Sequence, residues 1–285
     1  MTASRSEERA TRAVVTARSL ERCLEQLGVR RGSVLLVHTS LSALGYIVHG
    51  VDALRLALER ALGEEGTLLV PTFTGDLVDP SSWVDPALPA SMWNEVRDGM
   101  PCFDPSRSMP RLMGQLATSV LLDPRRRRSD HPICSFAALG PRAEELVEGH
   151  ELRDPFGPKS PVARARALDG QVLLLGVDQR RNSAMIHAHC LANAPQVRRN
   201  KGSFLAGSAE EREWVAPLRL SECTEGYGRI ELELAARGLV RVARAGDATA
   251  RLMRLQPFVA AVEHLLRLRP ESVLCGRPAC RQCAP

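Results

Sequence analysis

The sequence predicts an α/β fold, because continuous apolar segments of strand length alternate with amphipathic helices. Residues 33–38 form one such strand, and residues 66–73 form a second. Between them, residues 51–62 place leucine and alanine on one face at helical spacing. A strand, a helix and a strand of these lengths indicate a βαβ unit with a parallel pair. Residues 172–177 add a third continuous apolar strand, which completes the α/β pattern.

The remaining helices follow from apolar spacing and from their end signals. Residues 16–27 carry apolar side chains at helical spacing, and Gly28 ends that helix. A further helix begins after Asn182 or Ser183, either of which is a suitable N-cap. With it, the predicted later helices are residues 111–122, 183–194, 230–238 and 248–267.

Two stretches show no periodicity, residues 74–110 and residues 197–220. A segment that long without regular structure is usually functional or mobile. No repeat or low-complexity linker divides the chain. We therefore expect a single domain over residues 1–270, followed by a cysteine-containing tail over residues 271–285.

Composition limits the class of protein. The 285 residues are 44% hydrophobic and 25% charged, with a mean hydropathy of −0.14 and a net charge of +5. These values exclude a disordered chain, and eight cysteines are too sparse for a disulfide scaffold. No apolar run approaches the roughly 20 residues that span a bilayer. We expect a cytoplasmic protein with reduced thiols and no membrane partner.

Three loops follow apolar strands directly, at residues 38–45, 72–79 and 178–187. In α/β folds the chemistry collects in such loops. The first has three hydroxyl side chains and ends at Gly45, a composition that suits an anionic or amide-rich ligand. It lacks the Gly-Lys-Ser/Thr of a phosphate-binding loop. The alternative is a capped turn between a strand and a helix.

Four consecutive arginines, residues 125–128, create a local positive potential. They are either a solvated loop or an anchor for phosphates, which guanidinium groups bind in bidentate fashion. A nucleic-acid patch ranks lower, because aromatic residues make up only 4% of the chain and the run is isolated.

Residues 182–190 bring two imidazoles and a thiol together after the third apolar strand. His187 and Cys190 share one face of a helix, while His189 points elsewhere. A histidine here could act as a general base, since its ordinary pKa lies near neutrality. The alternatives are half of a metal site and a polar helix start.

The tail contains Cys275, Cys280 and Cys283, of which the last two form C-x-x-C. This spacing occurs in metal knuckles, which need four ligands. His264 or a cysteine distant in sequence would have to supply the fourth. We expect instead a reduced tail that binds no metal.

Five ordered segments carry a recognisable pattern. They are residues 37–45 (VHTSLSALG), 65–73 (EGTLLVPTF), 103–114 (FDPS to MG), 128–140 (RSDHPICSFAALG) and 150–177 (HEL through GPKSP to VLLLGV). Met185-Ile-His187 follows them. Their order and spacing resemble the aminoglycoside 3-N-acetyltransferase family over almost the whole chain, and the resemblance is weak between residues 198 and 221.

The resemblance implies an α/β/α sandwich around a mixed central sheet and a CoA-dependent N-acetyltransferase. Acetyl-CoA would be the cosubstrate, no metal would be required, and the acceptor would be the 3-amino group of an aminoglycoside, an antibiotic-resistance activity. His187 would be the general base, with His189 beside it as a second catalytic candidate. Partners would be acetyl-CoA and a small-molecule amine, without nucleic acid and with a homodimer left open.

The same resemblance implies which residues contact the cofactor. Hydroxyl groups and backbone amides would bind pantetheine, and an arginine would bind phosphate. The implied contacts are Thr39, Ser40, Leu41, Thr72, Phe73, Ser108, Arg128 and Ser135.

One departure from the family pattern concerns the position three residues after His187. The family usually has a glutamate three positions further on, where this chain has Cys190. A neutral thiol cannot hold an imidazolium or ammonium group as a carboxylate does. Another carboxylate would have to take the role, and the candidates are Glu151, Asp178, Glu222 and Glu225.

An aminoglycoside is a polycation, so its site needs carboxylates. The two irregular stretches supply many, among them Asp85 and Glu210, and we expect Asp76, Glu151 and Glu225 to bind the acceptor. Trp83 and Trp93 would either stack on a sugar or pin their loop to the body. Two other functions stay open: a same-fold acyltransferase for another amine in a biosynthetic pathway, and a catalytically impaired relative that binds CoA or metal.

Overall fold

Seven strands form one mixed sheet at the centre of the fold. The computed structural model describes residues 12–83, 87–193, 204–208, 211–216, 223–278, 280 and 283. In spatial order the strands are β10 (Arg241–Ala245), β11 (Ala248–Arg254), β7 (Gln171–Leu175), β2 (Val34–Thr39), β4 (Thr67–Pro71), β6 (Phe136–Leu139) and β5 (Arg127–Arg128).

Strand direction brings several loops to one edge of this sheet. β2 runs parallel to both β4 and β7, so the carboxyl ends of three strands meet there. β6 runs antiparallel to β4 and pairs Phe136 with Pro71, so β6 begins where β4 ends. We call this side of the sheet the carboxyl edge. The parallel pairing of β2 with β4 confirms the predicted βαβ unit.

Helices cover both faces of the sheet, which confirms the α/β/α sandwich. Alternate residues of each central strand face opposite sides: Leu35 belongs to one apolar core and Leu36 to the other. The first core includes α1 (Ala17–Leu27), α3 (Gly50–Leu62) and α5 (Gly114–Leu121). The second includes α6 (Ala143–Val147), α7 (Pro161–Ala167), α8 (Ser183–Ala192) and α10 (Leu255–Leu268). Burial on both faces explains why these strands are apolar without alternation.

Shorter elements complete the described chain. They are β1 (Val14–Val15), α2 (Leu41–Leu44), β3 (Tyr46–Ile47), α4 (Trp93–Gly99), β8 (Phe204–Gly207), β9 (Arg212–Val215) and α9 (Glu231–Ala236), with short 3-10 turns at Gly75–Leu77, Pro80–Ser82, Ala90–Met92, Gln179–Arg181, Tyr227–Ile230 and Pro270–Val273. None of the helices in the described ranges is long and apolar enough to cross a membrane.

The predicted end of α1 at Gly28 and the predicted N-cap of α8 are confirmed. Thr16 caps α1 in a capping box with Ser19, and Gly28 follows α1 with a left-handed φ of 82°. Asn182 caps α8 by accepting from the backbone N–H of Ala184.

The predicted helix over residues 248–267 is wrong in its first part. Residues Ala248–Arg254 form strand β11, and only Leu255–Leu268 is helical. Arginine, alanine and leucine favour a helix intrinsically. Here Gly246, with a φ of 59°, closes a two-residue hairpin turn with β10, and β7 pairs along the other side of β11. Long-range pairing therefore overrides local propensity.

Both irregular stretches contain regular structure that the sequence did not predict. The first contains α4 and three 3-10 turns, and the second contains the β8–β9 hairpin. Trp83 donates its indole N–H to the carbonyl of Val78 at 2.9 Å, and Trp93 donates to that of Leu88 at 3.1 Å. Both hydrogen bonds lie within the loop itself, so they stabilise its local conformation and do not decide between the two predicted alternatives.

Candidate active site

The carboxyl edge brings together most of the residues predicted to contact the cofactor. Thr39 ends β2, and Ser40 and Leu41 begin the loop and helix that follow. Thr72 and Phe73 follow β4. Ser135 lies beside them just before β6, and the Thr72 and Ser135 hydroxyl oxygens are 3.1 Å apart. The edge thus offers backbone amides and hydroxyl groups from three adjacent strands.

Arg128 stands out at this edge because its guanidinium group is buried and bonded to the protein. Nε donates to the hydroxyls of Thr72 and Ser135 at 3.2 and 3.1 Å, and Nη2 donates to the Thr72 carbonyl at 2.9 Å. Nη1 donates to the carbonyls of Pro105 and Ser108 at 3.3 and 2.5 Å. Burial lowers the pKa of Arg128 to about 10.

The resemblance implies that Arg128 contacts the cofactor phosphates, whereas in this structure its guanidinium group is bonded to the chain itself. Its side chain is 8% exposed, and all three guanidinium nitrogens donate to groups of the chain itself. Ser108, another predicted cofactor contact, lies in the loop that Arg128 holds, and its hydroxyl accepts from the backbone N–H of Asp104 at 3.0 Å. Arg128 therefore positions the loop around residues 104–108 against β4.

The other arginines of the run point to different partners. Arg125 pairs with Asp123 at 2.8 Å and Arg127 pairs with Glu144 at 2.6 Å. Arg126 donates to the carbonyl of Ser106 at 3.2 Å. Arg127 and Arg128 point to opposite sides because they are neighbours in the two-residue strand β5, where Arg127 is exposed and Arg128 is buried. The run is not a single positive surface.

His187 is held in one tautomer by a hydrogen bond. Its Nδ1 lies 2.7 Å from the carbonyl oxygen of Phe156. Because a carbonyl only accepts, Nδ1 carries the proton and Nε2 presents its lone pair. That Nε2 atom is buried and has no hydrogen-bond partner among the described residues. Burial lowers the pKa of His187 to about 4, so the ring is neutral at neutral pH.

The loop that carries Phe156 is itself held by two buried histidines. His150 Nε2 donates to the carbonyl of Pro155 at 2.8 Å, and its Nδ1 lies 3.0 Å from the Ser129 hydroxyl. His131 Nε2 lies 3.1 Å from the carbonyl of Leu152, and the His131 and His150 rings are 4.9 Å apart. The segment Arg128-Ser-Asp-His-Pro132 thus builds the support of His187.

The sequence did not indicate this support. The resemblance implies cofactor contact for Arg128 and Ser135 and gives no role to Ser129 or His131. The structure instead shows Ser129 and His131 directed away from solvent toward the loop at residues 150–156, both at most 1% exposed.

His38 is a second residue whose role was missed. It lies near the end of β2 and is buried, and its Nε2 accepts the backbone N–H of Ser183 at 3.3 Å. Burial lowers the pKa of His38 to about 3, which keeps the ring neutral and able to accept. In the sequence, the indication of this role is a histidine within an otherwise apolar strand segment. His38 therefore ties the start of α8 to the sheet and helps to place His187.

His189 and Cys190 lie on α8 but face other surroundings. His189 Nδ1 lies 3.2 Å from the phenolic oxygen of Tyr227. Cys190 is 5% exposed and belongs to the apolar core shared with α10. The hydrogen-bond partner that orients His187 is a backbone carbonyl, so the ring does not depend on a carboxylate three residues away.

Each of the three predicted acceptor-binding acids forms an ion pair with a basic residue of the chain. Glu151 lies 3.8 Å from Lys159, and Asp76 lies 4.0 Å from Arg111. Glu225 lies 3.4 Å from an arginine of the Gln179–Arg181 turn, Arg180. Asp85, Glu210 and Glu222 lie outside the described residues.

An open cavity of about 1180 Å³ lies at the opposite edge of the sheet. Glycines 32, 63, 66 and 140, before or after the strands, form part of its lining. Among the described residues, its lining includes no histidine and, of the residues predicted to contact the cofactor, none.

Comparison with known proteins defines the class. Residues 36–267 match the family model of aminoglycoside 3-N-acetyltransferase. The chain is 30% identical over 249 residues to the SPbeta prophage-derived aminoglycoside N(3')-acetyltransferase-like protein YokD of Bacillus subtilis, covering 87% of this chain and 91% of that protein. It is 32% identical over 265 residues to aminoglycoside N(3)-acetyltransferase IV from Salmonella, covering 90% and 92%.

Solved structures of related proteins are similar to this chain over most of its length. The crystal structure of YokD superimposes with a TM-score of 0.83 at 28% identity, covering 92% of this chain and 96% of that chain. AAC-IIIb in a binary complex with CoASH gives 0.76 at 27% identity, covering 90% and 98%. A histidine-to-alanine variant of AAC(3)-IVa in complex with a gentamicin gives 0.77 at 32% identity, covering 94% and 95%.

Fold and sequence together define an enzyme of the N-acetyltransferase class. Within that class, the chain belongs to the aminoglycoside 3-N-acetyltransferase family.

Proposed function

We propose that this chain transfers the acetyl group of acetyl-CoA to the 3-amino group of an aminoglycoside, with His187 as the general base. The observation that carries the proposal is the buried His187 ring, whose Nδ1 is occupied by the Phe156 carbonyl and whose Nε2 is left to accept a proton. Family membership supports the reaction class.

The reaction requires a free amine and a place for its proton. Only the unprotonated amine attacks a thioester, and it loses a proton as the C–N bond forms. Nε2 of His187 takes that proton, and the Nδ1–H bond to Phe156 strengthens as the ring becomes positive. The thioester C–S bond then breaks, and CoA leaves as a thiolate without a strong acid, because thiols are already fairly acidic.

Acetyl-CoA would lie along the carboxyl edge. Thr39, Ser40, Leu41, Thr72 and Phe73 present the amides and hydroxyls that suit pantetheine, and backbone N–H groups there would stabilise the tetrahedral oxyanion. The CoA complex of AAC-IIIb, a relative of the same fold, supports a CoA site in this family.

The phosphates of CoA would be met by an arginine other than Arg128. Arg126 has no carboxylate within ion-pair distance among the described residues, whereas Arg125 and Arg127 are each paired with one. We therefore assign phosphate contact to Arg126 and positioning of the edge to Arg128.

The acceptor is an aminoglycoside in this proposal, and Asp76, Glu151 and Glu225 remain the acids assigned to it. All three are partly exposed. The gentamicin complex of AAC(3)-IVa, a relative of the same fold, supports this acceptor class. His189 contacts Tyr227, so we assign it to holding the segment after residue 222 and not to proton transfer.

Turnover on a panel of 2-deoxystreptamine aminoglycosides tests the proposal. Product should be detected by mass spectrometry, because the chain's own eight cysteines would react with a thiol reagent. His187→Ala should lower kcat by about 10²–10⁴-fold, the usual contribution of a general base. His264→Ala, at an exposed histidine of α10, is the matched control. Near-normal turnover by His187→Ala, or no acetylated aminoglycoside at all, would contradict the proposal.

A second acceptor class stays open because of one observation. Arg180 already pairs with Asp178 and Glu225, at 2.7 and 3.4 Å, Arg277 pairs with Glu225 at 2.9 Å, and Cys190 carries no carboxylate. A site with fewer available carboxylates suits an amine of lower charge, such as a biosynthetic intermediate. Running the same assay with monoamines separates the two: preference for a monoamine over every aminoglycoside favours this alternative.

A further inference from the structure

Four cysteine side chains that have no role in the proposed reaction meet at one place. The Sγ atoms of Cys223, Cys275, Cys280 and Cys283 all lie within 4.8 Å of one another. Cys223 is buried and the other three are half-buried. Three of them are the tail cysteines, and Cys223 lies far earlier in the chain, just before the Tyr227–Ile230 turn.

This arrangement has the dimensions of a tetrahedral thiolate site. With a Zn–S bond of about 2.3 Å, neighbouring sulfurs of a regular tetrahedron are about 3.8 Å apart. Four sulfurs within 4.8 Å of one another need only small shifts to reach that distance. Cys280 and Cys283 have the C-x-x-C spacing of a metal knuckle.

The surroundings suit bound thiolates. The backbone N–H of Cys275 points at Cys283 Sγ and that of Arg277 points at Cys275 Sγ, both at 3.5 Å. Such N–H groups orient sulfur ligands and share their negative charge. Arg229 donates to the Cys275 carbonyl at 3.0 Å, which adds a positive charge beside the cluster.

We propose that these four cysteines bind one zinc ion in a structural site. Four protein ligands close the coordination sphere, which is typical of structural rather than catalytic zinc. This proposal replaces the expectation of a metal-free tail, because the structure supplies the missing fourth ligand as Cys223 and not as His264. It is independent of the acetyl-transfer reaction.

The zinc ion would fix one wall beside the candidate active site. It ties the tail to the segment that contains Glu225 and Tyr227, and Tyr227 contacts His189 on α8. The tail already runs in close contact with this segment, since a Cβ added to Gly226 would collide with the Val273 carbonyl oxygen. The metal therefore holds a packed junction together.

Metal analysis of the full chain tests the site. Protein purified with reductant from zinc-supplemented cells should contain about one zinc per chain by elemental analysis. Cys280→Ser and Cys283→Ser should each lose it. Cys102→Ser, at a half-buried cysteine outside the cluster, should retain it. Exchange for Co²⁺ should give the visible absorption of a tetrahedral tetrathiolate.

Two further measurements use the wild-type chain, so they do not depend on whether a variant folds. A mercurial reagent added to the wild-type chain should release one zinc, which a colorimetric chelator detects. Zinc titrated into the chelator-stripped chain should protect the tail from limited proteolysis. The proposal is overturned if the reduced wild-type chain contains no zinc and does not take it up. It is also overturned if both serine variants retain the metal, or if the four thiols are found as two disulfides.

Discussion

At the scale of single residues, buried hydrogen bonds decide which atom of a side chain is available for chemistry. The Phe156 carbonyl can only accept, so the proton of His187 lies on Nδ1. The N–H of Ser183 can only donate to Nε2 of His38, so the proton of that neutral ring also lies on Nδ1. One backbone group thus dictates the tautomer of each histidine, and it leaves Nε2 of His187 as the atom that can take a proton.

Replacing Arg128 distinguishes a role in ligand binding from a role in stabilising the fold. Arg128→Met should lower the free energy of unfolding by at least about 2 kcal/mol, because it removes the five hydrogen bonds that the buried guanidinium group donates and leaves the Ser108 carbonyl without its donor. Arg127→Met removes only an exposed pair with Glu144 and should cost about 0–1 kcal/mol. Urea unfolding measures both.

A conservative variant distinguishes the two roles of Arg128. Arg128→Lys keeps the charge but cannot donate to all of the groups that the guanidinium reaches. If Arg128 positions the edge, this variant is also destabilised and its KM for acetyl-CoA rises. Wild-type stability with an altered KM alone would instead identify a phosphate contact.

At the scale of elements, the loop at residues 150–156 depends on neutral imidazoles. Burial lowers the pKa of His150 to about 4, and burial together with the neighbouring His150 ring lowers that of His131 to about 3. In the unfolded chain these rings bind protons near pH 6.5. Between these values the unfolded state holds more protons, so stability falls as the pH falls.

Acid should therefore weaken the fold before the carboxylates titrate. We expect the free energy of unfolding to decrease steadily from pH 7 toward pH 4, and His150→Gln to reduce that slope. Asp79 has a buried carboxylate, and its hydrogen bond to Arg97 lowers its pKa to about 2. This group therefore affects stability only at lower pH. Urea unfolding at pH 7, 6 and 5 measures the slope, with His264→Gln as the exposed control. An unchanged slope in His150→Gln would contradict this account.

At the scale of the whole molecule, the sheet separates two apolar cores. Leu35 and Leu36 are adjacent in sequence and both fully buried, yet they pack against different helices. In a sheet covered on one face only, one of the two would be exposed. Shortening the side chain at either of these two neighbouring strand positions should therefore destabilise the fold to a similar extent.

Truncation of these leucines tests that architecture. Leu35→Ala and Leu36→Ala should each lower the free energy of unfolding by about 2–5 kcal/mol, the usual cost of removing a buried leucine side chain. Leu122→Ala, at a side chain that is 70% exposed, should cost far less. A cost below about 1 kcal/mol at either core position would be incompatible with a sheet buried on both faces.

Local pattern alone determined much of this protein. Continuous apolar runs identified β2, β4 and β7, helical spacing identified α1 and α3, and capping chemistry placed the end of α1 at Gly28. The ordered segments indicated the family and pointed to His187. Such features depend on residues a few positions apart, so they can be read along the chain.

Only the tertiary structure decided what depends on distant residues. It made residues 248–254 a strand by pairing them with β7, and buried Arg128 under the loop at residues 104–108. It set the tautomer of His187 through Phe156 and brought Cys223 to the tail cysteines. Each outcome depends on which groups meet after the chain has folded, and no local periodicity encodes that meeting.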